Sequence, residues 1–337
     1  MHNGGVATRS ERRNLAYEAA VLYFVEQQTM EAIANKLGIS RSTVSRLIAS
    51  ARDEGLVRIS LHAPEEPRDS LSRRIEDLYD VDVTVVQVPR ATTEIRRLER
   101  VAGVAGNLVG DVIEDKMMVG IAWGTTVSTI SERLMPKRMS GVTIVQLNGA
   151  ANPTTTGLPY VGEILGNFTR AFGAKAFPFP VPAFFDYAET RDLMWRERSI
   201  QVVRDIGRNA DVAVFGVGSF TSPLPSHVYA GGYLSPEEVT ELRRDGVVGD
   251  VCTVLLRADG TYEDIEINTR ATGPTPAELA KIPRRVCAVA GAAKAPALAA
   301  VLRSGAVTDL VVDDECAAAL LEVENDGKAE SDYGAWS

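Results

Sequence analysis

Histidine and cysteine are scarce in this chain, with three of each among 337 residues. Cys252, Cys287 and Cys316 are far apart and form no CxxC pair, which excludes a disulfide framework and indicates reduced cysteines in a cytoplasmic protein. The sequence shows no Ser/His/Asp set, metal-ligand cluster or paired-carboxylate motif at the end of a predicted strand. We therefore expect a binding protein rather than an enzyme, with no metal and no cofactor.

Long hydrophobic runs are also lacking. No apolar stretch approaches the ~18 residues that a membrane span requires, because charged residues, glycine or proline interrupt each one. Residues 1–14 have no apolar segment of the kind found in secretory signals. With 45% hydrophobic and 24% charged residues, the composition is typical of a soluble globular protein. The expectation is a cytoplasmic protein with no membrane contact, organised as about two domains.

Positive charge is scarce overall but unevenly distributed. The chain has 36 basic and 45 acidic residues, for a net charge of −9. Residues 1–60 nevertheless contain eight basic and six acidic side chains, so the acidic excess lies in the remainder. A mildly basic N-terminal region is consistent with binding to a polyanion, whereas the acidic remainder of the chain would repel it.

The N-terminal region has the pattern of a helix-turn-helix. After a predicted helix over residues 12–28, Thr29 caps a second helix, Gly38 supplies the left-handed turn, and Ser40 caps a third. The outer face of the third helix combines hydroxyl groups with arginines and has no acidic residue before Asp53, which favours the major groove of DNA. The alternative is a three-helix protein-interaction unit. The predicted DNA-binding residues are Ser40, Arg41, Ser42, Thr43, Ser45 and Arg46.

The region after this helix predicts a domain boundary. Residues 56–61 alternate in polarity like a short strand, which suggests a winged-helix-like unit. The next segment is polar and contains two prolines, as linkers often do. We divide the chain into a DNA-binding domain (1–61), a linker (62–70), an effector-binding and oligomerisation domain (71–322) and an acidic, disordered tail (323–337).

The body of the chain alternates between short apolar strands and helical segments. This order predicts an α/β fold with a doubly wound, mostly parallel sheet. In such sheets, ligands bind at the carboxyl ends of the strands, where the chain enters the next helix.

Four of these strand ends carry glycine-rich segments with hydroxyl, amide or ammonium groups. One such loop is a structural feature of any tight turn, but four at one sheet edge favour a small phosphorylated ligand. They match neither a Walker loop nor a dinucleotide fingerprint. The residues predicted from these loops are Gly124, Thr125, Thr126, Asn148, Gly149, Gly216, Gly218, Ser219 and Lys294.

Two charged residues near these loops have alternative interpretations. Asp250 would accept hydrogen bonds from sugar hydroxyls, or it would cap the backbone of a turn. Lys294 would bind phosphate, which is a simpler role for an amine beside a glycine-rich loop than that of a Schiff-base nucleophile.

The order of these motifs resembles the SorC family of bacterial sugar-binding transcriptional regulators, which includes central glycolytic gene and deoxyribonucleoside regulators. The resemblance covers roughly residues 14–321. It is carried by residues 33–48 in the helix-turn-helix and by short motifs in the body. These motifs are Gly120-Ile-Ala-Trp-Gly-Thr-Thr, Ala210-Asp-Val-Ala-Val-Phe-Gly-Val-Gly-Ser, Ala230-Gly-Gly-Tyr-Leu-Ser, Gly249-Asp-Val-Cys and Val289-Ala-Gly-Ala-Ala-Lys.

The resemblance implies a regulator of a carbohydrate or polyol catabolic operon that binds double-stranded operator DNA. It further implies an effector domain related to sugar-phosphate isomerases, a phosphorylated sugar or polyol as effector, and a homotetramer built as a dimer of dimers. Phosphate would be held by Gly124, Thr125 and Thr126, and the sugar hydroxyls by Asp250. The alternative is an isomerase-like enzyme with an accessory helix-turn-helix. Repression and activation both remain open.

The chain departs from the family pattern at two places in these motifs. Family members usually continue Gly-Asp-Val-Cys with glycine and an aromatic pair, where this chain has Thr253 and aliphatic residues. The usual Gly-Gly before the basic loop is Gly291-Ala292 here. Both changes are expected to reshape the pocket.

Overall fold

The computed structural model describes residues 9–57, 70–224 and 226–334. The chain divides into two compact units, Met1–Pro64 and Glu65–Ser337. The predicted α/β class with an N-terminal helix-turn-helix is confirmed. Among the described residues, no helix has the length and apolar character needed to span a membrane.

The described part of the N-terminal unit is helical. Helix α1 (Arg9–Ala20) continues into a π-helical turn (Val21–Val25), and α2 (Met30–Leu37) and α3 (Arg41–Asp53) form the helix-turn-helix. Gly38 adopts a left-handed conformation with φ of 66°, which permits the sharp turn between these two helices. One apolar core joins the helices. Its buried members are Ala16, Ala19, Ala20, Leu22, Ile33, Ala34, Val44, Leu47, Ile48 and Ala51.

The predicted wing and linker lie mostly outside the described residues. Leu56 and Val57 are described and are not part of a strand, whereas residues 58–61 are outside the described ranges, as are linker residues 62–69. Ser70, which was assigned to the linker, is the first residue of helix α4.

The described part of the second unit contains nine strands with helices between them. The strands are β1 (Asp82–Val86), β2 (Met118–Ile121), β3 (Thr143–Gln146), β4 (Lys175–Phe177), β5 (Val212–Ser219), β6 (Val247–Val251), β7 (Val254–Arg257), β8 (Arg284–Val289) and β9 (Asp309–Asp313). The helices are α4 (Ser70–Tyr79), α5 (Glu94–Val112), α6 (Thr125–Ser131), α7 (Leu158–Phe172), α8 (Ala188–Met194), α9 (Arg198–Arg208), α10 (His227–Ala230), α11 (Pro236–Arg244), α12 (Pro276–Leu279), α13 (Ala295–Arg303) and α14 (Asp314–Gly334). Short 3₁₀ turns occur at Glu266–Thr269 and Ala292–Lys294.

Seven strands form a parallel sheet in the order β1-β9-β8-β5-β2-β3-β4. Successive residues of a strand point to opposite faces of the sheet, so each buried strand contributes side chains to both faces. Helices cover both faces of this sheet. In β5, Val212 and Val214 join the core that contains α5, α6 and α7. Ala213 and Phe215 join the core that contains α4, α13 and α14. This topology brings the ends of β8, β5, β2 and β3 to one edge.

Strands β6 and β7 are antiparallel and extend from the end of β5. Strand β7 begins at Val254, and Cys252 and Thr253 form the hairpin turn that precedes it. Gly216, Gly218 and Ser219 lie within β5 rather than in a strand-to-helix loop. The expectation of a loop was wrong because β6 pairs with this end of β5 and keeps it extended.

The predicted disordered tail is helical through Gly334, as the last part of α14. Apolar residues continue the buried face of this helix as far as Leu321. Glu324 then accepts a hydrogen bond from the Tyr79 hydroxyl and pairs with Arg303. The acidic composition suggested disorder, but these contacts anchor the beginning of the segment to the body.

Candidate functional site

A cavity lies at the carboxyl edge of the sheet, beside the ends of β2, β3, β5 and β8. Eight of the ten predicted effector-site residues line it. These are Gly124, Thr125, Thr126, Asn148, Gly216, Gly218, Asp250 and Lys294. They come from five separate segments of the chain, which the parallel sheet and the antiparallel strand β6 bring together.

The first segment passes from β2 into helix α6. Gly124 has φ of 147° at the start of this helix, a conformation that side chains rarely adopt. Thr126 is buried and touches the β5 wall, since a Cβ at Gly216 would lie 3.1 Å from the Thr126 Cβ. Thr125 is exposed. The segment thus presents backbone amides and hydroxyl groups at the cavity.

Asp250 is a buried carboxylate with one uncommitted oxygen. Its Oδ2 accepts a hydrogen bond from the Thr253 amide at 3.2 Å, whereas its Oδ1 forms no hydrogen bond of normal geometry within the described structure, although the buried Tyr229 hydroxyl lies close enough to lower the pKa of this carboxyl group. Gly218 is required beside it, because a Cβ there would lie 1.8 Å from Oδ1. Burial raises the pKa of Asp250 to about 6, against smaller lowering effects from Tyr229, Thr253 and Lys294. Both roles proposed for Asp250 are compatible with this geometry, since one oxygen caps the turn while the residue lines the cavity.

Lys294 supplies the ammonium group of the cavity. Its Nζ donates a hydrogen bond to the Val217 carbonyl at 3.0 Å. Burial lowers its pKa, while nearby groups that include Asp250 oppose the shift. An ammonium group that is poorly hydrated and bound to a single carbonyl retains donors for an anionic ligand.

Asn148 is the second buried polar side chain with a free acceptor. It is 1% exposed, and its Oδ1 has no hydrogen-bond partner within the described structure. Buried polar atoms normally have partners, so an isolated acceptor indicates a place for a ligand or water donor.

Two predicted site residues lie behind the cavity wall instead of lining it. A Cβ at Gly149 would lie 2.1 Å from the Pro182 carbonyl oxygen, so this glycine serves close backbone packing. Ser219 is buried, and its hydroxyl forms a hydrogen bond with that of Thr221 at 3.0 Å. Sequence adjacency to Gly218 suggested the same role for Ser219, but successive residues of strand β5 point to opposite sides.

Sequence reasoning missed several cavity residues. His227, Trp123 and Cys252 also line the cavity, and Thr253 lines it at the position where the departure from the family pattern was expected to reshape the pocket. The His227 ring packs against the Tyr160 ring, with 5.0 Å between the ring centroids, and burial lowers the pKa of His227. No local pattern marks His227, because its place depends on how the segment after β5 folds back.

The predicted DNA-binding face of α3 is largely exposed. Ser40, Arg41, Ser42, Ser45 and Arg46 are exposed and Thr43 is half-buried. The Ser40 hydroxyl accepts a hydrogen bond from the Thr43 amide at 3.2 Å and so caps the helix. Neither arginine forms an ion pair within the described residues, in contrast to Arg13, which pairs with Glu54. Guanidinium groups that form no ion pair on an exposed helix face are available for phosphates or base edges.

The chain matches two known protein-family models. Residues 65–322 match the family described as "Putative sugar-binding domain", and residues 20–54 match region 4 of sigma-70. The second match covers α2 and α3 and supports the assignment of a DNA-binding helix-turn-helix.

Curated relatives are similar to the chain over nearly their whole length. The deoxyribonucleoside regulator of Bacillus subtilis is 29% identical over 92% of this chain and 98% of the relative. The erythritol catabolism regulatory protein EryD of Brucella abortus is 30% identical over 93% of this chain and 98% of the relative.

Solved structures show the same fold. A domain of a possible sugar-binding transcriptional regulator from Arthrobacter aurescens has a TM-score of 0.71 and 42% identity, covering 77% of this chain and all of that domain. The full-length sorbitol operon regulator SorC from Klebsiella pneumoniae has a TM-score of 0.67 and 23% identity, covering 92% of this chain and 99% of SorC. The chain therefore belongs to the sugar-binding family of transcriptional regulators that includes the deoxyribonucleoside, erythritol and sorbitol operon regulators.

Proposed function

We propose that this regulator controls a carbohydrate or polyol catabolic operon and responds to a phosphorylated sugar or polyol bound in the cavity at the carboxyl edge of the sheet. The observation that carries the proposal is the polarity of the cavity. It combines an ammonium group with two buried oxygens, on Asp250 and Asn148, that form no hydrogen bond of normal geometry within the described residues.

These groups divide naturally between the two ends of such a ligand. The Lys294 ammonium and the amides and hydroxyls from Gly124 to Thr126 suit a phosphate. The free oxygens of Asp250 and Asn148 accept hydrogen bonds and therefore suit sugar or polyol hydroxyls. An apolar ligand would leave these buried acceptors unpaired, at a cost of about 1–3 kcal/mol each.

The DNA-binding function is assigned to the exposed face of α3. The regulator acts in the cytoplasm as a homotetramer, a dimer of dimers. Its paired N-terminal units contact a pseudo-palindromic operator. The tetramer would exist in two arrangements that differ in operator affinity. The effector shifts the balance between them only if it binds one arrangement more tightly than the other.

The cavity binds its ligand without converting it. Asp250 has one oxygen on the Thr253 amide, and Lys294 is bonded to a main-chain carbonyl, so both groups have structural partners. Incubation with pentose and hexosamine phosphates should leave these compounds unchanged. Turnover that depends on Asp250 would instead favour the isomerase-like enzyme.

The effector site is tested by thermal-shift measurements on a panel of pentose, hexose and polyol phosphates beside their unphosphorylated forms. A ligand that binds the folded protein raises its unfolding temperature. We expect phosphorylated sugars or polyols to stabilise the wild type more than their unphosphorylated forms and more than equal concentrations of inorganic phosphate do, and Lys294→Ala to lose this additional stabilisation. The matched control is Lys281→Ala, which removes an exposed lysine away from the cavity. An undiminished response of Lys294→Ala would contradict the assignment.

A further inference from the structure

A second cavity lies in the C-terminal unit, lined by none of the residues of the first. Its volume is about 480 Å³, within the range of small-molecule sites. Helices α8 and α9 form one side, and the segment from Ala271 to Thr275 forms another. Its apolar residues include Leu147, Phe179, Val254 and Ile282. A concave, partly apolar space of this size suits a small molecule.

Three arginines face this cavity although the protein as a whole is acidic. Arg191 from α8 and Arg204 and Arg208 from α9 line it, together with a single carboxylate, Glu278. Glu278 already accepts a hydrogen bond from the Thr275 amide at 3.0 Å as part of the cap of α12. The cavity therefore has an excess of positive charge.

The arginines differ in how far this charge is neutralised. Arg191 pairs with Asp192 at 2.9 Å, and Arg208 is 3.7 Å from Asp205 and 3.8 Å from Glu278. Arg204 forms no ion pair within the described part of the chain. Its guanidinium instead lies over the Trp195 ring, 4.5 Å from the centroid.

The position of Arg204 is electrostatically unfavourable in the ligand-free protein. Burial and the neighbouring charges of Arg208 and Arg191 lower its pKa, and Glu278 and Asp205 offset this only in part. A half-buried guanidinium that repels two others is stabilised when an anion binds between them. Stacking on Trp195 also fixes its orientation in advance, which reduces the entropy lost on binding.

We propose that this cavity is a second ligand site, specific for a small organic or inorganic anion that carries at least two negative charges, such as a phosphate ester or a polycarboxylate. Arg204 supplies the main charged contact, and Arg208 and Arg191 supply further guanidinium donors. The site is distinct from the proposed effector cavity and does not depend on Lys294.

The test measures binding of citrate and of inorganic phosphate to the full chain by calorimetry, at constant ionic strength against chloride. The wild type should bind at least one of these anions saturably at millimolar concentrations or below. Arg204→Gln should weaken that binding about tenfold or more, because it removes the charged hydrogen-bond donor that has no ion-pair partner of its own within the described residues. Arg198→Gln is the matched control, because Arg198 lies on the same helix but outside the cavity.

Two further variants make the result decisive. Arg208→Gln changes an exposed side chain and should also weaken binding, so it replaces Arg204→Gln if loss of the Trp195 contact prevents folding. Lys294→Ala should bind the anion as the wild type does. Absence of saturable binding, equal affinity of the arginine variants and the wild type, or loss of binding in Lys294→Ala alone would overturn the proposal. A changed oligomeric state in Arg204→Gln without anion binding would also do so, because it would place these arginines in an interface between copies.

Discussion

Protonation of the Asp250 carboxyl group is linked to the free energy of unfolding of the protein. Its carboxyl group is buried, and its pKa is raised to about 6. The folded protein therefore holds this proton more tightly than the unfolded chain, whose aspartate pKa is ~3.9. It follows that the free energy of unfolding falls as the pH rises from about 4 to above 6, and that it stays lower at higher pH.

We therefore expect Asp250→Asn to stabilise the ligand-free protein at pH 7.5 by on the order of 1–3 kcal/mol. Asparagine has no charge to desolvate, and its oxygen can still accept the Thr253 amide. Urea denaturation at pH 7.5 and at pH 4 measures the effect, which should vanish at the lower pH. Asp186→Asn, at an exposed position, is the control and should change little. Equal stability of Asp250→Asn and the wild type at pH 7.5 would contradict this account.

The neighbouring turn carries backbone strain at the same cavity. Cys252 has φ of 49° and Thr253 has φ of 71°, although neither is glycine. Such conformations cost about 1–3 kcal/mol each and persist only where the surroundings determine them. Here the Asp250 carboxylate holds the Thr253 amide, and Gly273 packs so closely that a Cβ would lie 1.7 Å from the Cys252 carbonyl oxygen. Because threonine is β-branched, it also makes this turn stiffer than glycine would.

At the scale of elements, helix α3 carries the prediction for DNA recognition. Arg46 is exposed, and within the described ranges its guanidinium forms hydrogen bonds with the Ser42 carbonyl and the Thr43 hydroxyl of its own helix, at 3.4 and 3.3 Å. An arginine near the start of a recognition helix reaches base edges in the major groove.

Arg46→Ala should weaken operator binding by about 1–3 kcal/mol and relax sequence preference at one base position. Lys36→Ala is a suitable control, since Lys36 lies on α2 and pairs with Glu26 at 3.7 Å. The operator is obtained by selection from a random-sequence library, and gel-shift titration gives affinity and specificity. Unchanged affinity and preference in Arg46→Ala would remove this residue from the recognition surface.

Elements with strong local signals were predictable, and elements defined by distant partners were not. The Thr29 and Ser40 caps and the Gly38 turn are encoded locally, so the helix-turn-helix followed from its residues. Strand β6 escaped prediction because its strand character comes from pairing with the end of β5.

The same distinction applies to the candidate site. Asn148 and Lys294 follow predicted strands, so a parallel sheet was sufficient to bring them together. The place of His227 in the cavity wall and the packing of Gly149 against residues 181–182 depend on long-range contacts that no spacing in the sequence indicates.

At the scale of the whole molecule, two compact units divide DNA recognition from ligand sensing. The N-terminal unit carries exposed arginines and hydroxyl groups, and the second unit carries a polar cavity at the edge of a parallel sheet. For the protein to act as a switch, effector binding to the second unit must change the affinity of the N-terminal unit for DNA. Coupling free energies of this kind are commonly ~1–3 kcal/mol.

Operator affinity with and without the effector tests this division most directly. Fluorescence anisotropy on a selected operator would compare the wild type and Lys294→Ala, each with and without the phosphorylated compound that stabilises the wild type in the thermal-shift panel. We predict an affinity change of about fivefold or more for the wild type and none for Lys294→Ala. Identical operator affinity of the wild type with and without every stabilising compound would contradict the account.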